Sequence, residues 1–255
     1  MTGGSQPVTG MRARVGTRLH VLFRKEDLDD MRLEGKVVVV LDVLFATTTI
    51  VAALHGGATE VIPTLDEWGA RAQAAELPED SFVASGELYA ETIPGFASPT
   101  PLALTGHGVR GKTLIYSTTN GTVALQRSAA AAHVYAGALV NGRAVVEHVV
   151  AHHPGETVLL LCSGSAGAVN LEDVVGAGYL VDLFARHLTG EHDLSDAALT
   201  ARHAYLAGDP LDALLRSRVG RMMRERRLVH EVEYAARRSE IDVVPRMQGG
   251  RLVRT

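Results

Sequence analysis

From Val37 to Leu161 the chain alternates between short runs of β-branched and aliphatic residues and Ala-rich stretches whose apolar positions recur at helical spacing. Val37 to Leu41, Glu60 to Ile62, Ser81 to Ala84, Thr113 to Tyr116, His133 to Ala136 and Val158 to Leu161 read as strands. Thr49 to Leu54, Leu65 to Ala75, Thr122 to Ala130 and Val140 to His152 read as the helices between them. Strands that are apolar along their length and alternate with helices predict an α/β fold, a layered sandwich with a mostly buried sheet. With 46% apolar residues in 255, the chain can bury a large core, and residues 17–255 read as a single α/β domain.

After Glu172 the texture becomes nearly continuous helix, broken at Thr189-Gly190, Gly208-Asp209-Pro210 and Gly220, and closing on a short extended stretch from Ile241 to Val244. This predicts a helical C-terminal part packed on the sheet. The opening residues, Met1 to Gly10, are rich in Gly, Ser, Thr and Pro and lack the apolar stretch of a secretion signal, so residues 1–16 read as a flexible tail. A weak repeat also runs through the chain. Gly35-Lys36, a strand, a Thr-rich turn, an Ala-rich helix and Gly57-Ala58-Thr59-Glu60-Val61 match in order Gly111-Lys112, a strand, Thr118 to Thr122, a helix and Ala131-Ala132-His133-Val134. Internal duplication and convergent α/β grammar explain it equally well.

Net charge is −4 with the basic residues mostly spread out, so no nucleic-acid partner is expected. No apolar run approaches the length that spans a bilayer, which predicts no membrane association. The lone Cys162 allows no internal disulfide and fits a reducing, cytoplasmic setting.

Three polar clusters sit where a strand should end and a helix begin: Asp42 to Thr49, Ser117 to Thr122, and Cys162 to Asp173. A helix start offers unpaired NH groups and a positive dipole end to an anion, and carboxylates beside it suit magnesium. Asp42 with Thr47 and Thr48, Asn120-Gly121-Thr122, and Ser163-Gly164-Ser165 leading to Glu172 and Asp173 are therefore candidates for a metal-assisted phosphate site. Glu87 is a further acidic candidate. Each cluster also has a plain reading, as a helix cap, an Asn-Gly turn or an exposed loop carboxylate. Adjacent acids diverge on a helix, so only one of Glu172 and Asp173 should face the site.

The histidines show no metal-binding spacing, and His152-His153 read as solvent-facing. The arginines 216, 218, 221, 224, 226 and 227 read as a solvated helix face, with a subunit contact or phosphate binding as other uses; a homodimer is left open. Three familiar chemistries fail on spacing. Leu44 stands where an aspartyl-phosphate enzyme needs a second Asp, Ala168 where a cysteine phosphatase needs Arg, and Ser163 where a nucleophile elbow needs Gly.

Taken in order, Asp42-Val43-Leu44-Phe45-Ala46-Thr47-Thr48-Thr49, Gly86-Glu87, Gly95-Phe96, Thr118 to Thr122, Asn141 and Leu171-Glu172-Asp173 resemble the 2-phosphosulfolactate phosphatase family, from about Val37 to Pro245. The resemblance implies magnesium-dependent hydrolysis of a small phosphorylated acid, releasing sulfolactate and phosphate in coenzyme M biosynthesis. The chain departs from the family pattern at Phe45 and Leu88, where the pattern has Arg, and at Ala97, where it has Asp; the family's Asn-Ser-Pro is matched only by Ser98-Pro99. Neither Phe nor Leu replaces the paired hydrogen bonds of a guanidinium.

The resulting expectation is a magnesium-dependent phosphatase. Asp42, Glu172 and Asp173 supply the metal ligands, Asp42, Glu87 and Glu172 the catalytic carboxylates, and Thr47, Thr48, Asn120, Gly121, Thr122, Ser163, Gly164 and Ser165 the phosphate contacts. The alternatives are a non-catalytic binder of small phosphates and a phosphatase for another small acid phosphoester.

Overall fold

The structure, a computed structural model, describes residues 18–187 and 193–255. The expected tail over residues 1–16 and the break at Thr189-Gly190 lie outside them. Its strands are β1 (Arg18–Leu22), β2 (Lys36–Leu41), β3 (Glu60–Thr64), β4 (Phe82–Leu88), β5 (Glu91–Thr92), β6 (Thr113–Ser117), β7 (His133–Gly137), β8 (Thr157–Cys162), β9 (Asp193–Leu194), β10 (Pro245–Gln248) and β11 (Arg251–Arg254). The helices are α1 (Ala46–His55), α2 (Glu67–Ala75), α3 (Pro101–His107), α4 (Gly121–Arg127), α5 (Gly142–His152), α6 (Leu171–His187), α7 (Asp196–Leu206), α8 (Pro210–Arg216), α9 (Arg218–Glu225) and α10 (Val229–Ala235). The strands join in one sheet of order β5-β4-β6-β3-β11-β10-β7-β2-β8-β1-β9, the layered α/β arrangement expected. Among the described residues no helix is long and apolar enough to cross a membrane.

The sheet consists of two parallel sets joined by a hairpin. β4, β6 and β3 form one set, and β7, β2, β8, β1 and β9 the other. The C-terminal hairpin β10–β11 lies between them, antiparallel to β7 on one side and β3 on the other. Three antiparallel pairings in succession reverse the chain direction, so the two sets run in opposite senses. On a flat sheet their carboxyl ends would lie at opposite edges. They nevertheless meet: a Cβ added at Gly121, just after β6, would stand 2.9 Å from the Asp42 Cβ, just after β2.

Both faces of the sheet are covered, which is why its strands read as unbroken apolar runs. Val37, Val39 and Leu41 enter a core with α5, α6, α7 and the helices that follow, while Val38 and Val40 enter a second core with α1, α3 and α4. The suspected repeat corresponds to β2–α1–β3 and β6–α4–β7, each unit starting in one set and ending in the other.

Two boundaries differ from expectation. Gly220 lies inside α9, and the break falls at Ser217, whose Oγ accepts from the Gly220 amide as a helix cap. A Cβ at Gly220 would stand within 3 Å of the Leu214 backbone, so this glycine serves helix packing. The extended stretch at Ile241 to Val244 is irregular; the strands come after it, around a turn in which Gly249 and Gly250 both take positive φ.

Candidate active site

Strand β2 ends at Leu41, and Asp42 follows at the head of α1. The Thr47 hydroxyl accepts from the Asp42 amide and donates to the Asp42 carbonyl, each at 3.0 Å, and Thr48 Oγ1 donates to the Val43 carbonyl at 2.8 Å. At the end of β6, Thr122 Oγ1 closes the same kind of turn on the Thr118 amide and carbonyl, both at 2.9 Å. These three hydroxyls are fully buried. They fix the loops and do not reach a ligand, so Thr47, Thr48 and Thr122 are corrected from phosphate contacts to turn-formers. The plain capping reading describes them.

The two turns bring Asp42 and Asn120 onto one pocket of about 230 Å³, which Phe45, Glu87, Thr119, Ser165, Asn170 and Arg218 also line. Gly121 lets the turns approach: a Cβ there would lie 2.5 Å from Asp42 Oδ2. Asp42 Oδ1 accepts from the Phe45 amide at 3.1 Å. Burial, then the Glu87 charge beside it, raises Asp42 to about 7, with Glu172 adding to the repulsion.

The two adjacent acids part company. Asp173 accepts from the Val43 amide through Oδ1 at 2.9 Å and from the Gly164 amide through Oδ2 at 3.2 Å, tying two strand ends together. Burial, with Asp42 and Glu172 nearby, holds its pKa well above the carboxylate range. Glu172 is 1% exposed, and neither of its carboxylate oxygens has a hydrogen-bond partner among the described residues. Burial pushes its pKa up, while its own backbone amide, the nearby Ser217 side chain and, least, the Arg218 charge oppose the shift. An unpaired buried carboxylate is costly; its natural complement is a cation. The three acids do not form a ready-made cage, since among the described residues only His133, His153 and Glu156 bring one ligating atom each within 4.8 Å of one another. Asp173 has spent both oxygens on amides, and of the three acids Asp42 lines the pocket whereas Glu172 and Asp173 lie behind its wall.

Glu87 is also committed. Oε1 accepts from the Thr119 amide at 2.6 Å and Oε2 from the Ala90 amide and Thr119 Oγ1. It braces the Thr118–Asn120 turn, and its lone pairs are largely taken, against the expectation of a base. The loop after β8 differs from expectation as well: the Gly164 NH serves Asp173, and Ser163 is fully buried with no hydrogen-bond partner for its Oγ among the described residues. Ser165 does line the pocket, donating to Asn170 Oδ1 at 2.8 Å.

One cation escapes the sequence reading, and another reads there chiefly as solvated, with phosphate binding kept as an alternative. Lys25, 8% exposed, donates from Nζ to Asn120 Oδ1 at 2.8 Å and to the Ser163 carbonyl at 3.4 Å. It follows β1, a strand whose RLHVL sequence carries no strong signal. Arg218, taken as one of a solvated row, contacts Ser165 Oγ and sits 3.3 Å from Asn170 Oδ1. Ser217 caps the helix that Arg218 opens, which places this arginine at the start of α9. Of the departures from the family pattern, Phe45 lines the pocket whereas Leu88 is 52% exposed and does not.

The model of the 2-phosphosulpholactate phosphatase family matches residues 22–250. A protein of Carboxydothermus hydrogenoformans named probable 2-phosphosulfolactate phosphatase is 36% identical over 92% of this chain and 96% of its own length. Proteins given the same name in Deinococcus radiodurans and Clostridium tetani are 36% identical, over 84% of this chain and 88% of the relative, and 28% identical, over 91% and 98%.

Proposed function

The chain belongs to the 2-phosphosulpholactate phosphatase family, and on that premise we propose that it hydrolyses 2-phosphosulfolactate to sulfolactate and inorganic phosphate with the help of magnesium. The observation that supports metal dependence is Glu172, a buried carboxylate whose oxygens have no hydrogen-bond partner among the described residues, near enough for its charge to help raise the pKa of Asp42 on the pocket wall. Asp42 and Glu172 would hold the ion. Magnesium so held would neutralise phosphoryl charge and assist attack of water on phosphorus.

The chain's own residues do the rest. Lys25 fixes the Asn120 side chain by taking its Oδ1, which leaves the Nδ2 hydrogens for a phosphate oxygen. Arg218, steadied by Ser165 and Asn170 at the opposite wall, would pair with the acid group of the leaving alcohol. Water adds its oxygen to phosphorus as the ester P–O bond breaks, and the departing alkoxide takes a proton. Glu87 acts as a positioning residue, because its contacts hold Thr119 and Asn120 in place.

Phe45 favours a second reading on substrate alone: with an apolar ring where the family pattern has Arg, the pocket suits a phosphoester carrying one acid group fewer. Phosphate release from a panel that includes 2-phosphosulfolactate, 2-phospholactate and simple phosphomonoesters, with magnesium or with chelator, tests both. Release from 2-phosphosulfolactate only with magnesium is expected. Preference for 2-phospholactate would favour the second reading, and tight binding without release from any ester would overturn hydrolysis.

A further inference from the structure

We propose that His133, His153 and Glu156 form a second cation site, for a zinc-class divalent ion, at the edge of the sheet away from the acidic pocket. His133 opens β7 and Glu156 immediately precedes β8, so both lie at the amino ends of parallel strands whose carboxyl ends carry the pocket. The site is independent of the reading of that pocket.

One ligating atom from each residue lies within 4.8 Å of the other two. Glu156 Oε1 is 3.3 Å from His153 Nδ1, and Glu156 Oε2 is 3.8 Å from His133 Nε2. Donors that each stand about 2.1 Å from a tetrahedral zinc are separated from one another by roughly 3.4 Å. Glu156 Oε2 is buried and has no hydrogen-bond partner among the described residues. Two imidazoles with one carboxylate suit zinc or cobalt and not magnesium, and three protein ligands leave one position for water.

The surroundings match what a ligating histidine needs. His153 is buried, not solvent-facing as its neighbour-pair sequence suggested, and its Nε2 lies 2.7 Å from the Tyr135 hydroxyl, itself 3.2 Å from His148 Nε2. With Nδ1 on the ion, Nε2 donates to Tyr135 and Tyr135 donates onward, which fixes the tautomer. Sequence spacing hid the set because His133 comes from a different strand–helix unit. Arg246 opposes the ion: its guanidinium is 3.2 Å from His133 Nδ1, and an ion on Nε2 puts a proton on that atom. The ion and the Arg246 contact therefore compete.

The test is a titration of the full chain with cobalt, followed by its visible absorption and by displacement with zinc. The imidazole-ligated cobalt band is expected in the wild type and in Asp42→Asn, weakened more than about 100-fold in Glu156→Gln and in His133→Asn, and about 10- to 100-fold in Tyr135→Phe. Arg246→Gln should tighten binding, and phosphate release should not change in Glu156→Gln. Absence of the band at millimolar cobalt, or a band that survives both ligand variants and disappears in Asp42→Asn, would overturn the site.

Discussion

At the residue scale the acidic pocket rests on carboxylates whose charge state is set by burial and by one another. Burial and the Glu87 charge hold Asp42 near 7, against about 3.9 for an unperturbed Asp in the unfolded chain. Between those values the folded state keeps a proton that the unfolded state has released, so this group costs stability as pH rises through the window, with the full penalty above 7. In chelator, the stability of the wild type relative to Asp42→Asn should therefore fall from pH 4 to pH 8, read as a shrinking or reversing difference in thermal midpoint. Magnesium at pH 8 should raise the wild-type midpoint and leave the variant nearly unmoved. A difference that is flat across pH would show that Asp42 is not the strained group. Gly121 gives a second residue-scale expectation. Alanine there would drive a methyl into Asp42 Oδ2 and Ala46 Cβ, an overpacking worth about 1–3 kcal/mol, and would displace the carboxylate. Phosphate release should drop steeply in Gly121→Ala, whereas Gly106→Ala, which meets nothing within 4 Å, should leave activity intact.

At the scale of elements, the strand–turn–helix unit is the device that the chain uses twice. Thr47 and Thr122 each return a hydroxyl to the residue just after the strand, and the two helix-entry residues, Phe45 and Asn120, share a similar ψ, −68° and −62°. Thr122→Val removes a satisfied buried hydroxyl and leaves the Thr118 amide unpaired; a loss of about 1–3 kcal/mol is expected in denaturant unfolding, with activity falling because Asn120 follows that turn. An unchanged midpoint would mean that the closure contributes nothing. These units were legible in the sequence because their strands are buried on both faces and their helices are Ala-rich, signals that depend on local pattern alone. What stayed hidden depends on contacts between distant segments. Thr47 looked like a ligand because a free hydroxyl and a turn-closing one have the same sequence. Lys25 and Arg218 looked ordinary because their partners, Asn120 and Ser165, lie 95 and 53 residues away along the chain. The Gly249-Gly250 pair was a readable hairpin signal between β10 and β11, passed over because the flanking strands are short and half polar.

For the whole molecule, that hairpin decides whether there is one site or none. Asp42, Asn170 and Arg218 reach the pocket from the strand set around β2 and its covering helices, whereas Glu87, Thr119 and Asn120 reach it from the set around β6. Only β10 and β11 bridge the two sets within the sheet, through Arg246 opposite Tyr135 and Leu252 opposite Val61. Leu252 is fully buried in the core that α1 and α4 share. Leu252→Ala should cost about 2–5 kcal/mol, the range for a buried leucine. A chain ending at Val244 would bare the hydrogen-bonding edges of β3 and β7 as well, and unpaired edges of apolar strands recruit other chains. The truncated protein should therefore associate in size-exclusion chromatography. Leu252→Ala should lose phosphate release at a lower denaturant concentration than it loses helix content, because the pocket opens when the sets separate while α5 to α10 keep their packing on the core that holds no residue of β3, β4 or β6. Coincident loss of activity and helix signal would mean instead that the two sets stand or fall together and that the hairpin is no more than an edge covering.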